Sequence, residues 1–154
     1  MLISVASVLL MSGLAQSSEP LVLLGANRDQ AILIDAPTIR KVGESVLYDQ
    51  ITIRSVPEAF YGNRMTRAWR YRVRADCSTK SFQFTGFVML DGAGGVLADH
   101  SAGDAGPMSR PTPGTTSWDG MQMACGADSV PGDRNTFRDV SSAVSSYYAV
   151  MDKL

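Results

Sequence analysis

The sequence predicts an α+β domain: an antiparallel sheet of about six strands in hairpins. A short disulfide-linked helix and a C-terminal amphipathic helix are expected to pack on it. Three observations carry this. Residues 67–91 alternate with period two around a polar bend, the pattern of two long strands. Clusters of Gly, Pro, Asp and Ser punctuate the chain at strand-length intervals. Phe137, Val140, Val144, Tyr147, Met151 and Leu154 recur at three- and four-residue spacing, one face of a helix.

The 154 residues suit one domain, with 45% apolar and 19% charged residues. The net charge of −1 gives no global attraction to nucleic acid or to an anionic membrane surface. Residues 2–11 are an apolar run too short to span a bilayer, followed by Ser12-Gly13-Leu14-Ala15 with small residues where a signal peptidase reads. Residues 1–15 are therefore expected to be a signal peptide, with Gln16 opening a single domain over 16–154. No Lys or Arg precedes the run, and a buried first helix or strand is the alternative. Export places the protein in the periplasm or outside the cell. No later run approaches ~20 apolar residues, so no transmembrane segment is expected after cleavage.

An even cysteine count in an exported chain favours a disulfide. Cys77 and Cys125 form the one possible intramolecular pair, and closing that loop is worth roughly 4 kcal/mol in the chain-entropy model. Two free buried thiols in a cytosolic protein remain the alternative. The wide spacing and scarcity of histidine argue against a metal site, and no cofactor motif is present.

Taken in order, Leu21–Gly25 and Ala31–Ile34 flank a turn and read as a first hairpin. Pro37 removes a backbone donor, so the strand is expected to break there. Residues 45–54 alternate as a third strand. Ser55 with Glu58 three residues on, and Pro57 between, suggests a helical turn within a connector that runs to Thr66. Phe60 and Tyr61 are expected to tuck beneath that connector. The central hairpin follows, with Trp69, Tyr71, Val73, Ala75 and Cys77 on one face of its first strand. Its second strand assigns Phe82, Phe84, Gly86, Val88 and Leu90 to one face and Phe87 and Met89 to the other. Asp91–Gly95 is a turn rather than a phosphate loop, since neither a helix nor Gly-Lys-Ser/Thr follows. Val96–Asp99 is a short strand. Trp118, Met121 and Cys125 share a helical face, which Gly126 ends in a left-handed conformation. Thr136-Phe137-Arg138-Asp139 reads as a capping box opening the last helix. That helix is expected to dock on the sheet, with a homodimer contact as the alternative.

The Asp-x-Pro-Thr-Ile break at 35–39, a long strand ending in Asp76-Cys77, and the Pro113-Gly114-Thr115 lead-in to a helix closing on Cys125 occur in that order. Over residues 21–126 this resembles the surface-adhesin protein E-like family of bacterial exported proteins. The resemblance implies a small antiparallel sheet carrying helices, with the cysteine pair as a structural staple. It also implies an adhesin-like role, the family's named member being a lipoprotein that binds host matrix proteins. No cysteine follows the apolar run here to take such an anchor. No binding residue carries over.

Candidate chemistry is sparse. Asp99-His100-Ser101 holds triad residue types, but neighbours on an extended chain point to opposite faces and cannot relay protons to one another. Arg70, Arg72 and Arg74 share a strand face at intervals of about 7 Å. Such a row suits an anion, because the guanidinium fork pairs with carboxylate, phosphate or sulfate. An acidic glycan, an acidic protein surface or lipopolysaccharide phosphate fits it. Arg67 and Lys80 are placed to extend the row at either end, and the alternative is a solvated face eased by Asp49 or Glu44. Three functional classes follow: a non-enzymatic exported binding domain, an envelope or assembly factor acting as a dimer, and a small periplasmic hydrolase using His100.

Overall fold

A computed structural model of the chain describes residues 21–103, 105–126 and 135–153. The expected signal peptide, its cleavage site and Leu154 lie outside the described residues.

Among the described residues, seven antiparallel strands form one sheet: β1 (Leu21–Ala26), β2 (Gln30–Val42), β3 (Ser45–Ala59), β4 (Met65–Asp76), β5 (Ser81–Leu90), β6 (Val96–His100) and β7 (Thr136–Phe137). Their order is β6-β5-β4-β3-β2-β1-β7, so consecutive strands pair as hairpins and β7 returns to flank β1. Helix α1 (Thr116–Ala124) packs on one face and α2 (Val140–Met151) on the other.

Period-two alternation builds a core on each side. Leu33, Ile51, Ile53, Ala68 and Leu90 face α2, which buries Val140, Ala143, Val144 and Tyr147 against them. Val22, Ile34, Tyr48, Val73 and Phe82 face α1, which contributes Met121, Met123 and Ala124. Thr115 caps α1 by accepting the Trp118 N–H at 3.3 Å. Gly126 ends it at φ +74°, as the sequence implies. The Cys77–Cys125 disulfide ties the end of α1 to the β4–β5 bend, with Cα atoms 5.7 Å apart.

Three irregularities correct the sequence reading. β2 does not break at Pro37. Pairing shifts between Asp35↔Asp49 and Arg40↔Leu47, and Pro37 sits within the bulge, where its missing donor costs no ladder bond. Thr38 bridges the gap: its Oγ1 donates to the Asp35 carbonyl at 2.6 Å and accepts the Asp49 N–H at 2.7 Å.

The helical turn expected at Ser55–Glu58 is instead strand. β3 runs on to Ala59, with Pro57 in a second bulge between Ile53↔Ala68 and Glu58↔Thr66. Arg54 pairs with Glu58 across that bulge. Tyr61 follows in a turn and is 91% exposed, so it does not tuck beneath the connector.

The third irregularity is in β5. Val73 opposes Phe84 but Arg72 opposes Gly86, so Thr85 is the extra residue. Beyond it the faces exchange. Phe82, Phe84, Phe87 and Met89 all fall on the α1 side, opposite Ala75, Val73, Tyr71 and Trp69. Simple alternation divides those four residues between two faces.

The capping box also lies elsewhere. Thr136 and Phe137 form β7 against β1, and Asp139 is the N-cap of α2, exchanging hydrogen bonds with Ser142. Asp139 accepts the Ser142 N–H at 2.8 Å and Ser142 Oγ accepts the Asp139 N–H at 3.2 Å.

Candidate anion-binding face

Arg70, Arg72 and Arg74 project from β4 on the α2 side of the sheet, past the N-terminal end of α2. Their cross-strand neighbours differ. Arg70 lies between Ile51 and Val88, Arg72 between Asp49 and Gly86, and Arg74 between Leu47 and Gln83.

Arg72 Nε is 3.8 Å from Asp49 Oδ1, with the arginine side chain 43% exposed and the carboxylate side chain 16%. Arg74 is exposed, and its Nε donates to Ser45 Oγ at 3.1 Å. Arg70 is half-buried. Its Nε is shielded from solvent and has no acceptor among the described residues. It borders a cavity of about 400 Å³ shared with Asp35, Thr38 and, just ahead of α2, Arg138 and the N-cap Asp139.

A fourth arginine joins the face. Arg40 pairs opposite Leu47 just past the Pro37 bulge and acts electrostatically on Asp49. Parity counted from Ala31 cannot place it, because the bulge resets the alternation. Glu44 sits exposed in the β2–β3 turn. The two residues expected to lengthen the row do not do so. Arg67 Cζ lies 4.7 Å from the Tyr148 ring centroid on α2. Lys80 Nζ lies 5.7 Å from the Trp118 ring centroid on α1.

Burial disfavours the charge of two carboxylates within the face, Asp35 and Asp49. Asp35 and Asp49 oppose each other across β2 and β3. Burial pushes the Asp35 carboxyl above its ordinary range, Arg70 opposing and Asp49 adding to the shift. Burial likewise raises Asp49, outweighing Arg72, Arg70 and Arg40. Asp99, at the β6 edge, is held low by hydrogen bonds from Ser101, with Arg72 and His100 adding to the effect.

His100 is exposed, its ring centroid 4.9 Å from that of Phe87, while Asp99 Oδ1 accepts the Ser101 N–H at 2.8 Å. The Thr85 bulge completes a row that sequence alternation missed: Tyr71 lies 5.2 Å from Phe84 and 6.1 Å from Phe87, on the face opposite the arginines. Its one sequence signal is a Thr-Gly pair inside an apolar strand.

No protein-family model and no curated protein matches the chain. Solved structures do. The structure of Haemophilus influenzae protein E matches with TM-score 0.59 at 18% identity, covering 70% of this chain and 85% of that one. Its crystal form II matches with TM-score 0.57 at 18% identity, covering 73% and 90%. Protein E from non-typeable Haemophilus influenzae matches with TM-score 0.56 at 17% identity, covering 87% and 88%. The chain has a protein E-like fold.

Proposed function

We propose that this chain is an exported, non-enzymatic binding domain, adhesin-like and periplasmic or secreted, which meets an acidic glycan or an acidic protein surface. The observation that carries the reading is the row Arg70, Arg72 and Arg74 on a rigid sheet, joined by Arg40 and faced by carboxylates whose charge burial disfavours. A guanidinium in such a setting gains by meeting an anion from outside. Rigid strands hold the forks at fixed spacing, so little side-chain freedom beyond the rotamers is lost on binding. The protein E-like fold supports the adhesin-like part of this reading. Among the described residues no helix is long and apolar enough to cross a membrane.

The test is retention of the secreted domain on immobilised heparin, as a dense sulfated anion. Elution is expected to need raised salt, since exposed charge pairs are screened. The triple substitution Arg70→Gln, Arg72→Gln, Arg74→Gln should elute earlier with its melting temperature nearly unchanged. Co-elution of the two proteins returns the row to an ordinary wet sheet face.

A further inference from the structure

A cavity of about 600 Å³ opens between α2 and the β1–β2–β3 end of the sheet, within the range of small-molecule sites. Its floor is Ala31, Leu33 and Ile53, and α2 roofs it with Ala143, Tyr147 and Val150. Phe137 of β7 and Met151 line it further. The space exists because small side chains meet there: Ala26 and Ala31 from the sheet and Ala143 from the helix. An apolar cleft of this size leaves its lining short of dispersion contacts and offers water few partners.

Polar groups gather at the rim. Arg28, Asn27, Asn135 and Ser146 line it. The rim is set by the backbone: Tyr147 donates its hydroxyl to the Asn27 carbonyl at 3.0 Å, and Asn27 Oδ1 accepts the Asp29 and Gln30 N–H groups at 2.9 Å each. Arg28 is exposed and makes no ion pair among the described residues.

We propose that this cavity binds one alkyl chain of an anionic amphiphile, a fatty acid or similar single-chain lipid. The chain lies on the aliphatic floor and its head group faces Arg28. The aliphatic lining favours a flexible chain, since Met151 can settle around it without a polar partner. Among the described residues Arg28 is the cation at the rim, and it selects the charge. This site is separate from the arginine row, and either assignment stands if the other fails.

Titration calorimetry on the secreted domain with alkanoates of increasing length, up to dodecanoate, and with the matching alcohols tests this. Affinity should rise about fourfold per methylene until the cavity is filled, from ~0.8 kcal/mol per buried methylene. Arg28→Gln should weaken dodecanoate severalfold and leave dodecanol unchanged. Ser146 is exposed on α2 and lines the cavity, so Ser146→Trp should block it and weaken dodecanoate at least tenfold. Val150→Asp, at a position 55% exposed, gives a second block that leaves the buried face of α2 intact. Affinity independent of chain length overturns the proposal, as does unaltered binding in both blocked variants. A dimer that both blocks dissociate and dodecanoate does not would assign the cavity to a second copy instead.

Discussion

Asp49 and Arg72 stand directly opposite each other on β3 and β4, with Oδ1 and Nε 3.8 Å apart. The contact is loose for an ion pair, and with Arg72 43% exposed it contributes little to stability. Its importance is electrostatic. Arg72 is the largest of three charges opposing the burial that raises the Asp49 carboxyl, ahead of Arg70 and Arg40.

Removing Arg72 should therefore move that carboxyl further up. In carboxyl-labelled NMR titrations, Asp49 in Arg72→Gln should titrate at higher pH than in the wild type, and Arg40→Gln should shift it less. An unchanged Asp49 titration in Arg72→Gln would show that the two side chains do not meet in solution. Stability should change by less than about 1 kcal/mol, as for other exposed pairs.

Asp35 gives a sign for the dependence of stability on pH. Its folded pKa is raised, so the native state holds its proton more tightly than the unfolded chain does. Stability from this group is greatest below the ordinary carboxylate pKa of about 4 and falls as pH climbs through the raised value. Asp76 and Asp139 work in the other direction. Hydrogen bonds, chiefly from Ser78 and Ser142 respectively, hold them low, so their contribution is present above about 4 and lost on acidification. Comparing Asp35→Asn with wild type isolates the first effect. The variant should melt higher at pH 7, and the gain should shrink toward zero near pH 3. A variant that melts lower at pH 7 would mean that attraction to Arg70 exceeds the burial cost.

The disulfide closes a chain separation of 48 residues, and its loss should cost on the order of 2–5 kcal/mol. Cys77→Ser should lower the melting temperature markedly, and loosening of α1 should expose Met121, which is fully buried in the native fold. Wild-type thiols should resist alkylation until reduced. Free labelling of both thiols in native protein would remove the tie between α1 and the β4–β5 bend.

Much of this architecture was legible because it is local. Alternation marked the strands, Thr115 and Gly126 marked the ends of α1, and the spacing of Val140, Val144 and Tyr147 marked the face α2 buries. What escaped was set by residues far apart in sequence. Pro37 and Pro57 read as breaks, yet each sits in a bulge where the strand continues. At Pro37, Thr38 supplies the missing acceptor for the Asp49 N–H, a partner eleven residues away. Thr136-Phe137 has no strand period of its own, and its pairing with Leu21 and Val22 comes from the other end of the chain. The arginine row was legible because β4 keeps its alternation throughout. Arg40 was not, because the Pro37 bulge hides its parity.

The proposed export rests on the apolar run at residues 2–11 and on Ala15. Mass spectrometry of protein secreted from a Gram-negative host should find Gln16, or a residue beside it, at the N-terminus. Intact Met1 on soluble cytosolic protein would overturn the compartment assignment.

Gly86 tests the bulge that joins Phe84 to Phe87 on one face. A Cβ built there would lie 2.6 Å from the Ser101 carbonyl oxygen, 2.7 Å from Ser101 Cα and 2.8 Å from the His100 carbonyl oxygen. These are backbone atoms, so no side chain can swing aside; the end of β6 must move. Gly43 is the control. It sits in the β2–β3 turn at φ +62° with nothing within 4 Å of the added atom. Gly43→Ala should cost only the left-handed strain of about 1–2 kcal/mol. Gly86→Ala adds overpacking of about 1–3 kcal/mol against a fixed neighbour. It should also part His100 from Phe87, whose rings lie 4.9 Å apart in the native fold. Urea denaturation should give a lower midpoint for Gly86→Ala than for wild type, and the His100 ring resonances should shift in Gly86→Ala but not in Gly43→Ala. If Gly86→Ala denatures at the wild-type midpoint with His100 unmoved, the close approach of β6 to the bulge does not hold, and the shared face of Phe84 and Phe87 loses its cause.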